Sequence, residues 1–317
     1  MDVSVVIPVY NEEQAVRETI LEIIEELNKL KIKYEIIIVD DNSTDSSISK
    51  IVDLDIKILK HRVNLGGGKA RVTGLKYADA PVVLQTDADG TYPCDKIPEI
   101  LEEMKTADMV VGARKYEKAK GFRPLRIFVK WIIKKFASYL SGTDIPDLNT
   151  GFRAYRKDVA LLYEYLYPPS HSIMSTMTLA FLIDNRNVKF VDIEYRERIG
   201  KSSFHPIRDT YNYVLATVRA ITYFNPFKLT TQLTSIFGII TAVFLVRDIF
   251  FLRNIGDTTV LLFIVTLIVF LFGILFDHIS NIRKDINLKM EALKNFYEKK
   301  TEKELIESDP NIEIVKK

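Results

Sequence analysis

An α/β fold with a mostly parallel sheet, followed by a two-helix membrane hairpin, is what this sequence predicts, and three observations predict it. Short β-branched runs alternate with amphipathic stretches between residues 3 and 111, which is the pattern of βα units whose strands are buried on both faces. Polar clusters follow those runs directly, at 10–12, 40–45 and 87–89, and in such sheets ligands sit at the carboxyl ends of strands. Two uncharged runs, 229–246 and 260–276, each approach the ~20 residues that cross a bilayer core.

The elements can be justified in order. The start, Met1-Asp2-Val3-Ser4-Val5-Val6-Ile7-Pro8, lacks the basic and then apolar stretch of a secretory leader and reads as a buried strand over 3–9. A helix over 12–30, strands over 34–39 and 56–59, a helix over 69–78 and strands over 81–85 and 109–111 follow from period and composition. With 47% hydrophobic and 27% charged residues, a disordered or collagen-like chain is excluded. Lys and Arg number 44 against 42 Asp and Glu, so bulk charge gives no reason to expect nucleic acid as a partner. The single cysteine, Cys94, excludes an intramolecular disulfide framework and a Cys-rich zinc site, and fits a reducing, cytoplasmic compartment.

Soluble core helices rarely go uncharged on every face, so the runs 229–246 and 260–276 read as a transmembrane hairpin rather than a buried helical pair. The connection Arg253-Asn254-Ile255-Gly256-Asp257 is short, so both flanks emerge on one side. Lys228 before the hairpin and Arg283, Lys284 and Lys289 after it mark that side as cytoplasmic. Arg247 and Asp248 fall near the far end, where they can pair or reach the interface. Residues 125–140 interleave apolar Leu125, Phe128, Trp131 and Phe136 with Arg126, Lys130, Lys134 and Lys135. That is a basic amphipathic helix suited to anionic headgroups, or one packed on its own sheet with solvated lysines. The Tyr-rich stretch 208–227 is expected to approach the first span as an aromatic interfacial segment. The tail 279–317 alternates Lys and Glu and then loses hydrophobicity, predicting a solvated helix followed by disorder.

Chemistry is carried first by Gln85-Thr86-Asp87-Ala88-Asp89-Gly90. Two carboxylates one residue apart at a strand end can present oxygens to one hard divalent cation, which bridges a diphosphate and neutralises a leaving group. Asp40-Asp41-Asn42-Ser43-Thr44-Asp45 can cap a following helix, yet two adjacent Asp exceed that need, and a carboxylate there could accept from a nucleobase N–H or a ribose hydroxyl. Pro8-Val9-Tyr10-Asn11-Glu12 offers an aromatic face beside a carboxylate. Gly66-Gly67-Gly68-Lys69 is neither a Walker loop nor a dinucleotide fingerprint; it reads as a packing turn ahead of a phosphate cradle.

Taken with Asn64-Leu65-Gly66-Gly67-Gly68, Gly112-Ala113-Arg114 and Asn149-Thr150-Gly151-Phe152-Arg153, these motifs resemble, in order, those of the family 2 inverting glycosyltransferases. More narrowly they resemble the dolichyl-phosphate mannose synthases and related polyprenyl-phosphate glycosyltransferases. The resemblance covers residues 2–205 and implies a GT-A fold and a nucleotide-sugar donor. It places Pro8, Tyr10, Glu12, Val39, Asp41, Asp87, Ala88, Asp89, Arg114, Arg198 and Lys201 around the nucleotide sugar, with Mg²⁺ or Mn²⁺ on Asp87 and Asp89. Arg114, Arg126 and Lys130 fall to the acceptor phosphate, and Asp89, Arg114 and Arg126 to catalysis. Thr91 stands where the family often has Gln or Ser, Lys130 replaces a usual Ser, and the spacing around Arg198 and Lys201 is one residue short of some members. The implied segments are a catalytic domain over 1–205, a juxtamembrane interfacial helix over 206–228, two spans over 229–278 and a polar cytoplasmic tail over 279–317.

The acceptor is argued from an absence. A sugar hydroxyl needs a general base, and the family members that use one supply a carboxylate after the Gly-Phe-Arg region. Residues 165–183 contain neither Asp nor Glu, and His171 is the one candidate base there. A phosphate monoester, with a second pKa of ~6, is already largely a dianion at pH 7. The reading is inverting transfer of a hexose from a nucleotide sugar, GDP-mannose favoured, to dolichyl or another polyprenyl phosphate at a lipid bilayer. UDP-glucose or UDP-N-acetylglucosamine as donor, elongation of a lipid-linked saccharide, and a catalytically silent membrane scaffold are the alternatives. Self-association is left open.

Overall fold

The computed structural model describes residues 1–115, 142–170, 172–198, 226–297 and 306–316, with Lys135, Ser138, Tyr139 and Leu215 as single positions. It has two compact units, Met1–Thr217 with Lys299–Lys317, and Val218–Glu298.

The first unit is an eight-stranded sheet with α-helices between its strands. Its strands are β1 (Val3–Val9), β2 (Tyr34–Asp40), β3 (Lys57–His61), β4 (Val82–Gln85), β5 (Met109–Arg114), β6 (Arg153–Arg156), β7 (Val188–Ile193) and β8 (Ile312–Lys316). They lie in the order β7-β5-β6-β4-β1-β2-β3-β8. β1 pairs in parallel with β2 and β4, β2 with β3, and β5 with β7. β6 and β8 run antiparallel to their neighbours, so the mostly parallel sheet is a mixed one. β1 is central, and Val5, Val6 and Ile7 are fully buried, as a strand covered on both faces requires.

Helix α1 (Val16–Lys29) buries Val16, Thr19, Ile20, Ile23 and Leu27 at helical spacing against the sheet. It starts four residues later than the sequence predicts. The Glu12 and Glu13 amides donate instead to Ser47 Oγ (2.8 Å) and the Asp45 carboxylate (3.1 Å), so the chain between β1 and α1 is tied to the loop after β2. Helix α2 (Gly67–Tyr77) precedes β4, α3 (Ile97–Glu103) precedes β5, and α4 (Lys157–Leu162) and α5 (Ile173–Ile183) precede β7. Gly68 is a packing glycine: a Cβ there would lie 2.3 Å from the Pro168 carbonyl oxygen, and its N–H donates to Pro169 O at 2.8 Å.

The disorder expected for the end of the chain is overturned. Residues 312–316 form β8 on the free edge of β3, Arg62 N donates to Asn311 O at 3.1 Å, and Lys316 Nζ reaches Val52 O at 3.0 Å. The segment Ile312-Glu313-Ile314-Val315 has strand alternation, but only an unpaired edge elsewhere in the chain gives it a partner.

The second unit is a helical hairpin, α6 (Pro226–Arg247), a π-turn (Asp248–Leu252) and α7 (Asp257–Tyr297). Pro226–Leu252 and Asp257–Ile282 have mean hydropathies of 2.1 and 3.0 with only 11% of each apolar window buried, so both are long and apolar enough to cross a membrane. The buried Asp248 organises the turn. It pairs with Arg247 at 2.7 Å and accepts from Gly256 N at 2.8 Å and Thr259 Oγ1 at 2.6 Å. The stretches 125–134, with Arg126 and Lys130, and 216–225 lie outside the described residues, as do His171 and Lys201.

Candidate active site

The carboxyl ends of β1, β2 and β4 converge on a cavity of about 270 Å³. Pro8 enters it from the end of β1, Tyr10 and Glu12 from beyond β1, Asp41 from beyond β2, and Asp87, Ala88 and Asp89 from beyond β4, while Arg198 follows β7. These sequence-predicted residues are therefore brought together. Val39 is not in the lining, because it is a fully buried strand residue facing the core. Arg114 is not in it either. Its guanidinium forks onto Asp147 (Nε at 2.6 Å, an Nη at 3.1 Å) and lies 5.3 Å from the Tyr195 ring.

Each carboxylate has a defined partner. Asp87 pairs with Arg71, which is 5% exposed and also donates to Gly67 O at 2.9 Å. Asp89 accepts from Thr91 Oγ1 at 2.6 Å and faces Arg198 at 3.3 Å, and Arg198 also pairs with Glu12. The Thr91 hydroxyl proton thus fixes Asp89. Burial first, and the neighbouring Asp87 charge second, push the Asp89 carboxyl up. Burial likewise carries Glu12 up to about 7, against the pull of Arg198. The Asp87 charge is among the causes that push Asp89 up, so a cation shared by the two carboxylates would relieve that repulsion.

The donor set fits one. Carboxylate oxygens are the ligands that Mg²⁺ and Mn²⁺ select, and Asp87 and Asp89 share the cavity. Gly151 keeps the space open, since a Cβ there would lie 2.8 Å from Asp87 Oδ2. Its N–H donates to Tyr92 Oη at 2.7 Å, and Tyr92 stacks on Phe152. Among the described residues, no group of three or more His, Cys, Asp or Glu gathers as a metal site, so the two aspartates are the side-chain ligands this edge offers.

Two expectations change character. Asp41 does not keep its carboxylate for a ligand alone: it accepts from Leu65 N and Gly66 N, both at 2.8 Å, and from His61 Nδ1 at 2.7 Å. Arg153, from the Gly-Phe-Arg motif, is fully buried and bonds to Thr150 O, Met174 O and Thr178 Oγ1, tying β6 to α5. Burial brings its guanidinium down to about 10. Sequence reasoning missed Arg71. The available signal was a lone charge within Ala70-Arg71-Val72-Thr73-Gly74-Leu75, because a cation in a buried helical stretch requires a partner.

The carboxylate pair and its guanidinium partners lie at the carboxyl ends of the strands, where α/β enzymes bind their ligands. Residues 4–161 match the model of glycosyl transferase family 2, so the chain carries a domain of that family. It is 27% identical over 206 residues to a dolichyl-phosphate hexose transferase of Haloferax volcanii, covering 65% of this chain and 87% of that one. It is 30% identical over 232 residues to a dolichol-phosphate mannosyltransferase of Pyrococcus furiosus, covering 67% of this chain and 63% of that one. The GT-A fold recurs in glucosyl-3-phosphoglycerate synthase from Mycobacterium tuberculosis, solved with Mn²⁺, uridine diphosphate and phosphoglyceric acid. That match has a TM-score of 0.53 at 14% identity, over 69% of this chain and 78% of that one.

Proposed function

We propose that this glycosyltransferase moves a hexose from a nucleotide sugar, GDP-mannose favoured, to dolichyl or another polyprenyl phosphate at a membrane surface. The observation that carries the acceptor is that 165–183, where a base for a hydroxyl acceptor would stand, contains neither Asp nor Glu, while Asp41, Asp87 and Asp89 are bonded within this chain and Glu12 pairs with Arg198. An acceptor that arrives as a phosphate dianion needs no base. The names of the relatives point the same way.

A phosphate oxygen of the acceptor attacks the anomeric carbon, the bond from that carbon to the diphosphate breaks, and the diphosphate leaves with the electron pair. An α-linked donor thus gives a β-linked product. Asp87 and Asp89 would hold a divalent cation, which when bound would neutralise charge on the leaving group. Pro8, Tyr10, Glu12 and Asp41 position the nucleotide, and Arg71 and Arg198 hold the carboxylates in place until substrate arrives. Arg198 and Lys201 are assigned to the pyrophosphate. Acceptor phosphate is assigned to Arg126 and Lys130, with Arg114 joining only when its fork leaves Asp147.

The two apolar helices anchor the enzyme where the acceptor's tail resides. That both hairpin flanks share one side, the cytoplasmic one, is supported by Lys228, Arg283, Lys284 and Lys289. It is supported too by β8, which returns the chain to the sheet that begins at β1.

The test is to incubate the purified full chain with GDP-mannose, UDP-glucose and UDP-N-acetylglucosamine, each with dolichyl or undecaprenyl phosphate and Mn²⁺, and to identify the glycolipid by mass spectrometry. Formation of a lipid-phosphate hexose from one donor is expected. Transfer only to a saccharide hydroxyl, or none from any donor, would overturn the reading.

A further inference from the structure

His61 is a fully buried imidazole that no step above uses. It ends β3, with β2 on one side and β8 on the other, paired through Ile312. Its Nδ1 lies 2.7 Å from Asp41 Oδ1 and its Nε2 lies 3.0 Å from Thr73 Oγ1 on α2. Burial pushes the Asp41 carboxyl up, but the His61 bond and the Leu65 and Gly66 amides outweigh it and hold the group below the usual carboxylate range. Asp41 already accepts from two backbone amides, so Nδ1–H donates to it, and Nε2 shares its bond with the Thr73 hydroxyl. The bonds run from α2 through the ring to a carboxylate that lines the cavity.

We infer that His61 is a positioning residue for the nucleotide: it orients Asp41, and through Asp41 the Leu65–Gly66 turn, so that the donor meets a preformed edge. The inference rests on the donor-site reading above. With Oδ1 shared between the ring and Leu65 N, and Oδ2 engaged once by Gly66 N, the remaining acceptor capacity of Asp41 is at Oδ2. Without the ring, the carboxylate can rotate and donor binding must reorder it.

Two substitutions separate orientation from packing. His61→Asn places an amide N–H near the position of Nδ1–H and can still donate to Asp41. His61→Gln reaches toward Thr73 instead and leaves Asp41 short of a donor. GDP and UDP, each with Mn²⁺, are titrated calorimetrically into the full chain in detergent micelles, and rates are then measured with the nucleotide sugar that turns over. In His61→Gln, Kd and KM for the donor should rise about tenfold with kcat little changed, the cost of one lost buried hydrogen bond to a carboxylate. His61→Asn should recover most of that loss. Thr73→Val, which removes the hydroxyl from Nε2, should shift KM in the same direction if His61→Gln does not fold. Equal losses in His61→Asn and His61→Gln, a fall in kcat at constant KM, or wild-type donor affinity in His61→Gln or Thr73→Val would overturn this inference alone. A wild-type chain that binds neither nucleotide would overturn the donor-site reading itself, and this inference with it.

Discussion

Arg71, in the second turn of α2, forms an ion pair with Asp87, two residues beyond the end of β4, and the two differ in exposure: the arginine side chain is 5% accessible and the aspartate 30%. The cation is thus buried to serve a carboxylate that faces the cavity. A guanidinium in that position needs its partner, because an unpaired buried charge costs far more than a surface pair contributes.

Replacing Arg71 by Ala should therefore lower stability by about 2–3 kcal/mol, less than for a wholly buried pair because Asp87 is partly solvated. It should also reduce transfer by releasing Asp87. Arg71→Lys should recover part of the stability, since an ammonium cannot hold Asp87 and the Gly67 carbonyl in one rigid fork. Urea denaturation and initial rates measured on the same preparations check both statements.

Asp89→Ala removes one carboxylate of the pair assigned to the cation, together with the acceptor of the Thr91 hydroxyl. Transfer should fall by about two orders of magnitude or more, while far-UV circular dichroism of the helical hairpin stays unchanged. Excess chelator should silence the wild type and Mn²⁺ should restore it. Near-normal turnover in either case would remove the metal assignment.

Asp147 supplies a pH dependence with a definite sign. Burial pushes its carboxyl up, but the Arg114 fork and the Asn149 amide outweigh that and hold it below the ordinary carboxylate range. A depressed folded-state value contributes stability that is present above the unfolded value of about 4 and is lost as pH falls through the folded one. Unfolding free energy should thus fall as pH drops below about 4, and Asp147→Asn should flatten part of that fall while costing stability at pH 7. Denaturation curves at stepped pH give the comparison.

In the hairpin, α6 and α7 approach closely where Gly273 faces Thr230. A Cβ on Gly273 would lie 2.4 Å from Thr230 Oγ1. Gly273→Val should force the helices apart at a cost of about 1–3 kcal/mol, read as a lower melting temperature in detergent micelles. Gly273→Ala should be milder, and combining it with Thr230→Gly should return most of the loss, because the clash needs both partners.

The sequence determined a good deal of this protein by itself. The strand 3–9 was legible to the residue, because β-branched runs bounded by polar clusters have few other solutions. The Asp87 and Asp89 pair was legible from its place after a strand and Glu12 and Arg198 from the motif resemblance, and the fold brings all four to one cavity. The hairpin was legible from length and lack of charge.

What the tertiary structure decided was pairing. That Arg71 answers Asp87, that Asp147 occupies the fork of Arg114, and that His61 holds Asp41 depend on side chains brought together from distant points in the chain. No local period records such partners. The same holds for β8, whose five residues could become a strand only because β3 left an edge open. Periodicity and propensity act within a few residues of chain, whereas burial imposes its demand for hydrogen-bond partners only after the sheet has closed and water has been excluded.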